Sequence, residues 1–478
     1  MSFASVLSAH EDSQRVRLEN RWTDIFRADS FVHVALMGSI VASTFQGYLK
    51  DRIGGPLPYA LADAFFMTAA ALWFGSLVIR HEPLRGPGAV PIRLLAIALV
   101  PTIYLLYPGA PLLIELAGLR SWVEFPVGCL IALTIIRSPG QARAYVGLIL
   151  VLCLITGLYG IQQFRSGPEA ALNIGNLAQA RHGSTTFYFI PGSGRTGFRA
   201  FSTFTFPAPF GMMMVFGILL AMGIVAARTQ RKGARITAGL LVPVMFLAMT
   251  VSGTRAALLI LIGGLGILAF LRRLSVVQIM VVPLLGLVFH LASVITSGGA
   301  FERFQTLLLE EGLFWRYVAA PITIAGRALM EHPFGLGLGR SGVGVPFQMY
   351  LAQPKGFFVG SDGDVGRAAV EMGIVGLVLL GVIIIGLLPY TRRAATELVG
   401  TESEDLALGI VPLLIATGLG VMIGSPFASA PHGIMWWVLL GAVIKLAMIA
   451  EEDRRNAAAV EAADAADEAP PPPGPGGA

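Results

Sequence analysis

Thr250–Ser275 reads TVSGTRAALLILIGGLGILAFLRRLS, an apolar run with Arg255 at one end and Arg272 and Arg273 at the other. A run of this length spans a hydrocarbon core of about 30 Å as a helix. Arg272 and Arg273 end it as a helix meeting the cytoplasmic surface ends, which leaves Arg255 at the opposite membrane face.

The rest of the chain has the same character. Its 478 residues are 55% hydrophobic and only 13% charged, with a mean hydropathy of +0.72. Such a composition excludes a soluble globular domain and points to an integral membrane protein. Apolar windows bounded by Gly, Pro or charge clusters predict spans at 29–49, 58–80, 89–107, 118–137, 143–163 and 206–227. A second set falls at 235–251, 255–271, 276–295, 366–390, 405–424 and 431–449. The expected fold is therefore all-α and polytopic, with about 12 transmembrane helices, since lipid leaves a backbone no other way to satisfy its hydrogen bonds without barrel-like alternation.

Orientation follows from Lys and Arg in short loops, which are held on the cytoplasmic side. Arg15, Arg17, Arg21 and Arg27 precede the first span, so residues 1–28 are expected in the cytoplasm, without a cleavable signal peptide. Alternate loops agree: Arg80, Arg85 and Arg93, then Arg137 and Arg143, Arg228 to Arg235, Arg272 and Arg273, and Arg392 and Arg393. Lys50 and Arg52 are the exception. The membrane domain is expected over 29–450, and 451–478, ending EAPPPPGPGGA, as a disordered cytoplasmic tail. The charge of +5 is spread over loops rather than gathered on one face, which argues against nucleic-acid binding. Cys129 and Cys153 lie inside predicted spans and read as packing residues.

Two long loops, about 163–205 and 296–365, fall on the external face together with Arg255. Loops this long usually bind or catalyse, and the second has a composition suited to short amphipathic helices forming a lid. Asp63, Arg120, Glu124 and His290 fall toward the external ends of their spans, where they line a vestibule or, for Arg120 and Glu124 at i,i+4, form a structural pair.

Four stretches carry a resemblance. GFRAFSTFTFPAPFG (Gly197–Gly211), SGTRAA (Ser252–Ala257), EHPFGLGLGRSG (Glu331–Gly342) and DGDVGRAAVEMGIVG (Asp362–Gly376) resemble, in order, motifs of the O-antigen ligase and Wzy-type polysaccharide polymerase family. The resemblance covers roughly residues 197–380. It implies a glycosyltransferase of the bacterial inner membrane that acts at the periplasmic face. Such an enzyme moves glycan from an undecaprenyl diphosphate carrier onto a sugar hydroxyl. Implied partners are the lipid-linked donor, a glycan acceptor, the bilayer and other polysaccharide-assembly proteins, with no nucleic acid. Where ligases of the family carry a His-Asn pair, nine residues before the motif Glu371, this chain has Asp362, which is similar to the exopolysaccharide polymerase branch.

That chemistry gives Arg255 a purpose. A departing diphosphate develops negative charge beside the membrane, and fixed guanidinium groups grip phosphate oxygens bidentately. Arg199 and Arg255 take this role, standing in for a metal ion, with Asp362 as the base; snorkelling to lipid headgroups is the bland alternative for the arginines, and helix capping for Asp362. Arg195, Arg316, Arg340, His332 and Glu371 are expected substrate contacts, with no metal and no cofactor. GLGRSG (Gly337–Gly342) fits G-x-G-x-x-G but follows a His-Pro turn rather than a strand, so it reads as a flexible turn. Alternatives are an O-antigen ligase that attaches glycan to the lipid A core, a transporter or flippase of lipid-linked glycan, and a structural membrane subunit. A transporter should show matching interrupted helices in two related halves, which this sequence lacks.

Overall fold

Apolar segments longer than a bilayer is thick have to close their backbone hydrogen bonds within themselves, so they coil. The computed structural model describes residues 29–53, 57–81, 86–107, 109–167, 187–189, 196–272, 318–345, 353–354, 356–359, 363–427 and 429–467. Among these residues the architecture is helical throughout, apart from one short antiparallel hairpin of β1 (Phe187–Phe189) and β2 (Thr196–Phe198).

The helices are α1 (Ser30–Thr44), α2 (Gln46–Ile53), α3 (Leu57–Arg80), α4 (Val90–Ile103), α5 (Leu112–Ile135) and α6 (Pro139–Ser166). After the hairpin come α7 (Pro207–Ala226), α8 (Lys232–Val251), α9 (Arg255–Arg272), α10 (Ala320–Glu331) and α11 (Asp364–Gly381). A π turn, Val382–Leu387, carries α11 into α12 (Leu388–Leu398), followed by α13 (Glu404–Leu419) and α14 (His432–Asp467). Eight helices among the described residues are long and apolar enough to cross a membrane. Ser30–Thr44, Val90–Leu106 and Arg255–Leu271 are shorter apolar helices on three further expected spans, and the span expected at 276–295 lies outside the described residues.

Burial separates core from periphery. Of the apolar window in Ala60–Ile79 only 22% is buried, against 83% for Glu404–Met422. The first therefore turns Phe65, Met67, Leu72 and Phe74 outward, as a lipid-facing helix must, and the second is central. Between α7 and α13 the backbones touch: a Cβ on Gly223 would stand 2.2 Å from the Gly409 nitrogen. Small residues permit this approach, which lipid-embedded helices use in place of hydrophobic drive. Trp436 and Trp437 of α14 are fully buried, and Trp436 Nε1 donates to Thr417 Oγ1 at 2.9 Å. Cys129 and Cys153 are free and fully buried.

Contacts between distant segments sort the helix ends. One end of the bundle gathers the ion pairs Arg137–Asp29 (2.7 Å), Arg143–Asp405 (3.0 Å) and Arg393–Glu451 (2.8 Å), together with Arg454–Glu397. There too the Arg228 backbone N–H donates to Glu404. These are loops that the charge pattern assigns to one side. Lys50, the exception to that pattern, is buried rather than exposed in a loop.

The structure corrects the sequence reading at two places. The tail does not begin at Glu451: α14 continues to Asp467, because Ala- and Glu-rich sequence is a good helix former and Arg455 pairs with Glu451 one turn away. The expected first span breaks at Phe45 into α1 and α2. The Arg120–Glu124 pair read from the sequence is present at 3.7 Å, and Arg120 pairs in addition with Asp63 through two bonds of 3.1 and 2.9 Å. His290 lies outside the described residues.

Candidate functional site

The opposite end of the bundle collects the four motifs in two pairs. In the first pair, residues 199–206 lead into α7 and pack on the turn between α8 and α9. The Ala200 N–H donates to the Val251 carbonyl at 3.0 Å. Arg199 Nε donates to the Ser252 carbonyl at 2.8 Å and Nη2 to Thr254 Oγ1 at 3.1 Å. Thr254 Oγ1 in turn donates to the Pro207 carbonyl at 3.1 Å. Gly253 turns the chain at φ +58°, and α9 begins at Arg255. Arg199 is buried and Arg255 half-buried. Arg199 thus braces the turn, and Arg255 occupies a helix N-terminus, where the helix dipole adds to its positive charge.

In the second pair, the glycine-rich stretch after α10 docks on a break in α11. Gly335, Gly337, Gly339 and Gly342 all take positive φ, which explains the alternate glycines of this turn. Its backbone bonds directly to α11: Leu336 N–H to the Val370 carbonyl (2.8 Å), Gly337 N–H to Glu371 (3.2 Å), and Ile374 N–H to Pro333 (2.9 Å). α11 opens to receive it at Gly373, whose φ of 59° and ψ of −135° only glycine adopts readily.

Beneath this junction lies a buried polar cluster. The Glu371 carboxylate accepts from Trp122 Nε1 at 2.7 Å and from Ser341 Oγ at 2.5 Å, and stands 3.3 Å from Arg367 Nε. Arg367 Nη2 donates to Ser121 Oγ at 2.5 Å, and its guanidinium lies 4.2 Å from the centroid of the Trp122 ring. Asp364 Oδ2 accepts from the Phe427 N–H at 3.1 Å, and Asp364 Oδ1 stands 3.8 Å from Arg367 Nη1. Asp364, Arg367 and Glu371 are all at most 1% exposed. Two carboxylates around one guanidinium in a low-dielectric interior are held by geometry, since loss of any member strands the others.

The segment after α13 joins the two pairs. The Asp364 N–H donates to the Gly424 carbonyl at 3.2 Å, and a Cβ on Gly420 would meet Ile260 of α9 at 2.9 Å. α9, headed by Arg255, and α11, headed by Asp364, are thereby packed against one short turn.

The expected site residues separate on this geometry. Arg199, Arg255, Arg340, His332 and Glu371 all lie at this end. Glu371 is corrected from a substrate contact to an internal clamp, because it is 0% exposed and its oxygens are occupied by Trp122, Ser341 and Arg367. Arg340 is half-buried, donates to the Gly109 carbonyl at 3.3 Å, and sits 4.1 Å from the Phe357 ring centroid. Burial lowers its guanidinium below the ordinary arginine range. His332 ends α10, exposed, with its carbonyl accepting from the Gly335 N–H. Asp362, Arg195 and Arg316 lie outside the described residues. Among the described residues no three His, Cys, Asp or Glu side chains are grouped to hold a metal ion.

Sequence reasoning missed Trp122, Ser121 and Ser341, and the part that Asp364 plays in this cluster. The spacing of Asp364, Arg367 and Glu371, three and then four residues, puts all three on one helix face and was the available signal. No family model matches the chain, and no curated protein matches it.

Proposed function

We propose that the protein is a polysaccharide polymerase, or O-antigen ligase-like glycosyltransferase, that moves glycan from an undecaprenyl diphosphate carrier onto a sugar hydroxyl at the periplasmic face of a bacterial inner membrane. The observation that carries this reading is the packing of Arg199 against the Ser252–Arg255 turn, with hydrogen bonds of 2.8 and 3.1 Å across more than fifty residues of sequence. It gathers two arginines and a helix N-terminus at the end of the bundle away from the ion-paired loops, an arrangement suited to a diphosphate.

In the proposed step the acceptor hydroxyl oxygen attacks the anomeric carbon and the carbon–oxygen bond to the diphosphate breaks. The diphosphate leaves with the bonding electron pair, and the hydroxyl proton passes to Asp362. Arg255 neutralises the leaving group, while Arg199 holds the turn that presents it. The configuration at the anomeric carbon inverts in this single displacement. The remaining spans, up to about 12 in all, and the cytoplasmic placement of both ends belong to the same proposal. Asp362 in place of the His-Asn pair favours polymerase over ligase.

The glycan profile of a deletion strain tests it. A polymerase leaves single units on the surface and removes long polymer. A ligase removes all attachment to the lipid A core, and an unchanged profile refutes both.

A further inference from the structure

At the junction of α5, α11 and α14 lies a small cavity lined by, among others, Ser121, Trp122, Asp364, Arg367, Phe427 and Trp437. It offers about the space of one water molecule. Three of these residues carry a buried polar atom that makes no hydrogen bond: Trp437 Nε1, Asp364 Oδ1, which has Arg367 Nη1 as an ionic neighbour at 3.8 Å, and Arg367 Nε, which has Glu371 Oε2 at 3.3 Å. Each of the three is 1% exposed. Their other polar atoms are engaged, Asp364 Oδ2 with the Phe427 N–H and Arg367 Nη2 with Ser121. One buried donor or acceptor without a hydrogen bond is costly, and Trp437 Nε1 and Asp364 Oδ1, on residues that line a single cavity, call for a shared partner.

The chemistry of the three atoms selects that partner. A metal cation is repelled by the guanidinium and meets two N–H donors, while an anion meets the Asp364 carboxylate. Water alone both accepts and donates, and buried waters make about three hydrogen bonds. We propose that this cavity is a binding site for one structural water, which accepts from Trp437 Nε1 and Arg367 and donates to Asp364 Oδ1. The water ties the first turn of α11 to α14, and with Ser121 and Trp122 of α5 it closes the polar cluster that Phe427 caps. It thereby fixes the chain two residues beyond Asp362. The site goes beyond the glycosyl-transfer reading and stands without it.

The test is a cryo-electron microscopy map of the full chain in lipid nanodiscs at about 2 Å, fine enough to see single waters. One peak is expected at about 2.7–3.2 Å from both Asp364 Oδ1 and Trp437 Nε1. A map that resolves other buried waters but shows none here overturns the proposal, as does direct contact of Asp364 with Trp437. Trp437→Phe keeps a ring in place and removes the donor. The peak should vanish and the midpoint of heat inactivation should fall by roughly 2–4 °C; a peak that persists unchanged overturns the assignment.

Discussion

Glu371→Ala is the sharpest perturbation of the site's scaffold. The carboxylate takes hydrogen bonds from Trp122 and Ser341 at 2.7 and 2.5 Å and faces Arg367 at 3.3 Å, with no exposure to solvent. Removing it orphans an indole N–H and a hydroxyl, and leaves a 1%-exposed guanidinium with Asp364 at 3.8 Å as its remaining counter-charge. Breaking a buried ion pair from one side costs about 3–5 kcal/mol, and the two orphaned donors are part of that figure rather than additions to it. Glu371→Gln keeps the shape and one acceptor and leaves Asp364 and Arg367 charge-balanced, so its cost should be smaller, about 1–2 kcal/mol. Unfolding of a protein of this kind is irreversible, so the assay compares midpoints of heat inactivation in detergent at one heating rate, read by size-exclusion chromatography. The Ala variant should lose roughly 6–10 °C and the Gln variant about a third of that. An Ala variant within about 2 °C of the parent would refute the clamp.

Four other outcomes follow from the geometry. Gly373→Ala puts a Cβ 2.0 Å from the Pro333 carbonyl at a φ of +59°, and should abolish stable protein, whereas Gly381→Ala, with open space around it, should be neutral or stabilising in the same assay. Arg255→Lys should cut polymer formation strongly at normal abundance, while Arg199→Lys, which gives up bonds to Ser252 or Thr254, should lose thermal stability as well; wild-type polymer from both removes the leaving-group role. Asp362→Asn should slow the reaction on the order of a hundredfold without changing the heat-inactivation midpoint, and full activity removes the base. Cysteines placed at Ser184 and Gly299 should react with an impermeant thiol reagent in intact cells and one at the exposed Gly233 should not, against a silent background from buried Cys129 and Cys153; the reverse pattern would invert the orientation.

The helices were legible because lipid enforces them: an apolar window of sufficient length has no other stable backbone, so predicted spans such as 206–227 and 405–424 lie within a few residues of α7 and of Glu404–Met422. Breaks inside an apolar run were not. Gly373 and the π turn at Val382–Leu387 sit within one expected span, and hydropathy is blind to both. The π turn is used: it leaves the Gly386 carbonyl to accept from Arg93 Nη1 at 2.5 Å. For the site, arginines at helix ends could be picked out by the cost of their placement, as Arg255 was. Partners contributed by distant helices could not, since Trp122 and Glu371 meet across 249 residues and periodicity does not say which faces of two apolar helices will touch. The helix beyond Glu451 has a local signal in its Ala- and Glu-rich sequence, and its pairing of Arg454 with Glu397 comes only with the folded bundle.

The most direct measurement uses purified protein in proteoliposomes, supplied with undecaprenyl-diphosphate-linked glycan units and a metal chelator, without nucleotide sugars. The account predicts a ladder of lengthening glycan with release of undecaprenyl diphosphate, undiminished by the chelator and lost in Arg255→Lys. Donor that stays intact, or that crosses the bilayer unchanged, would contradict it.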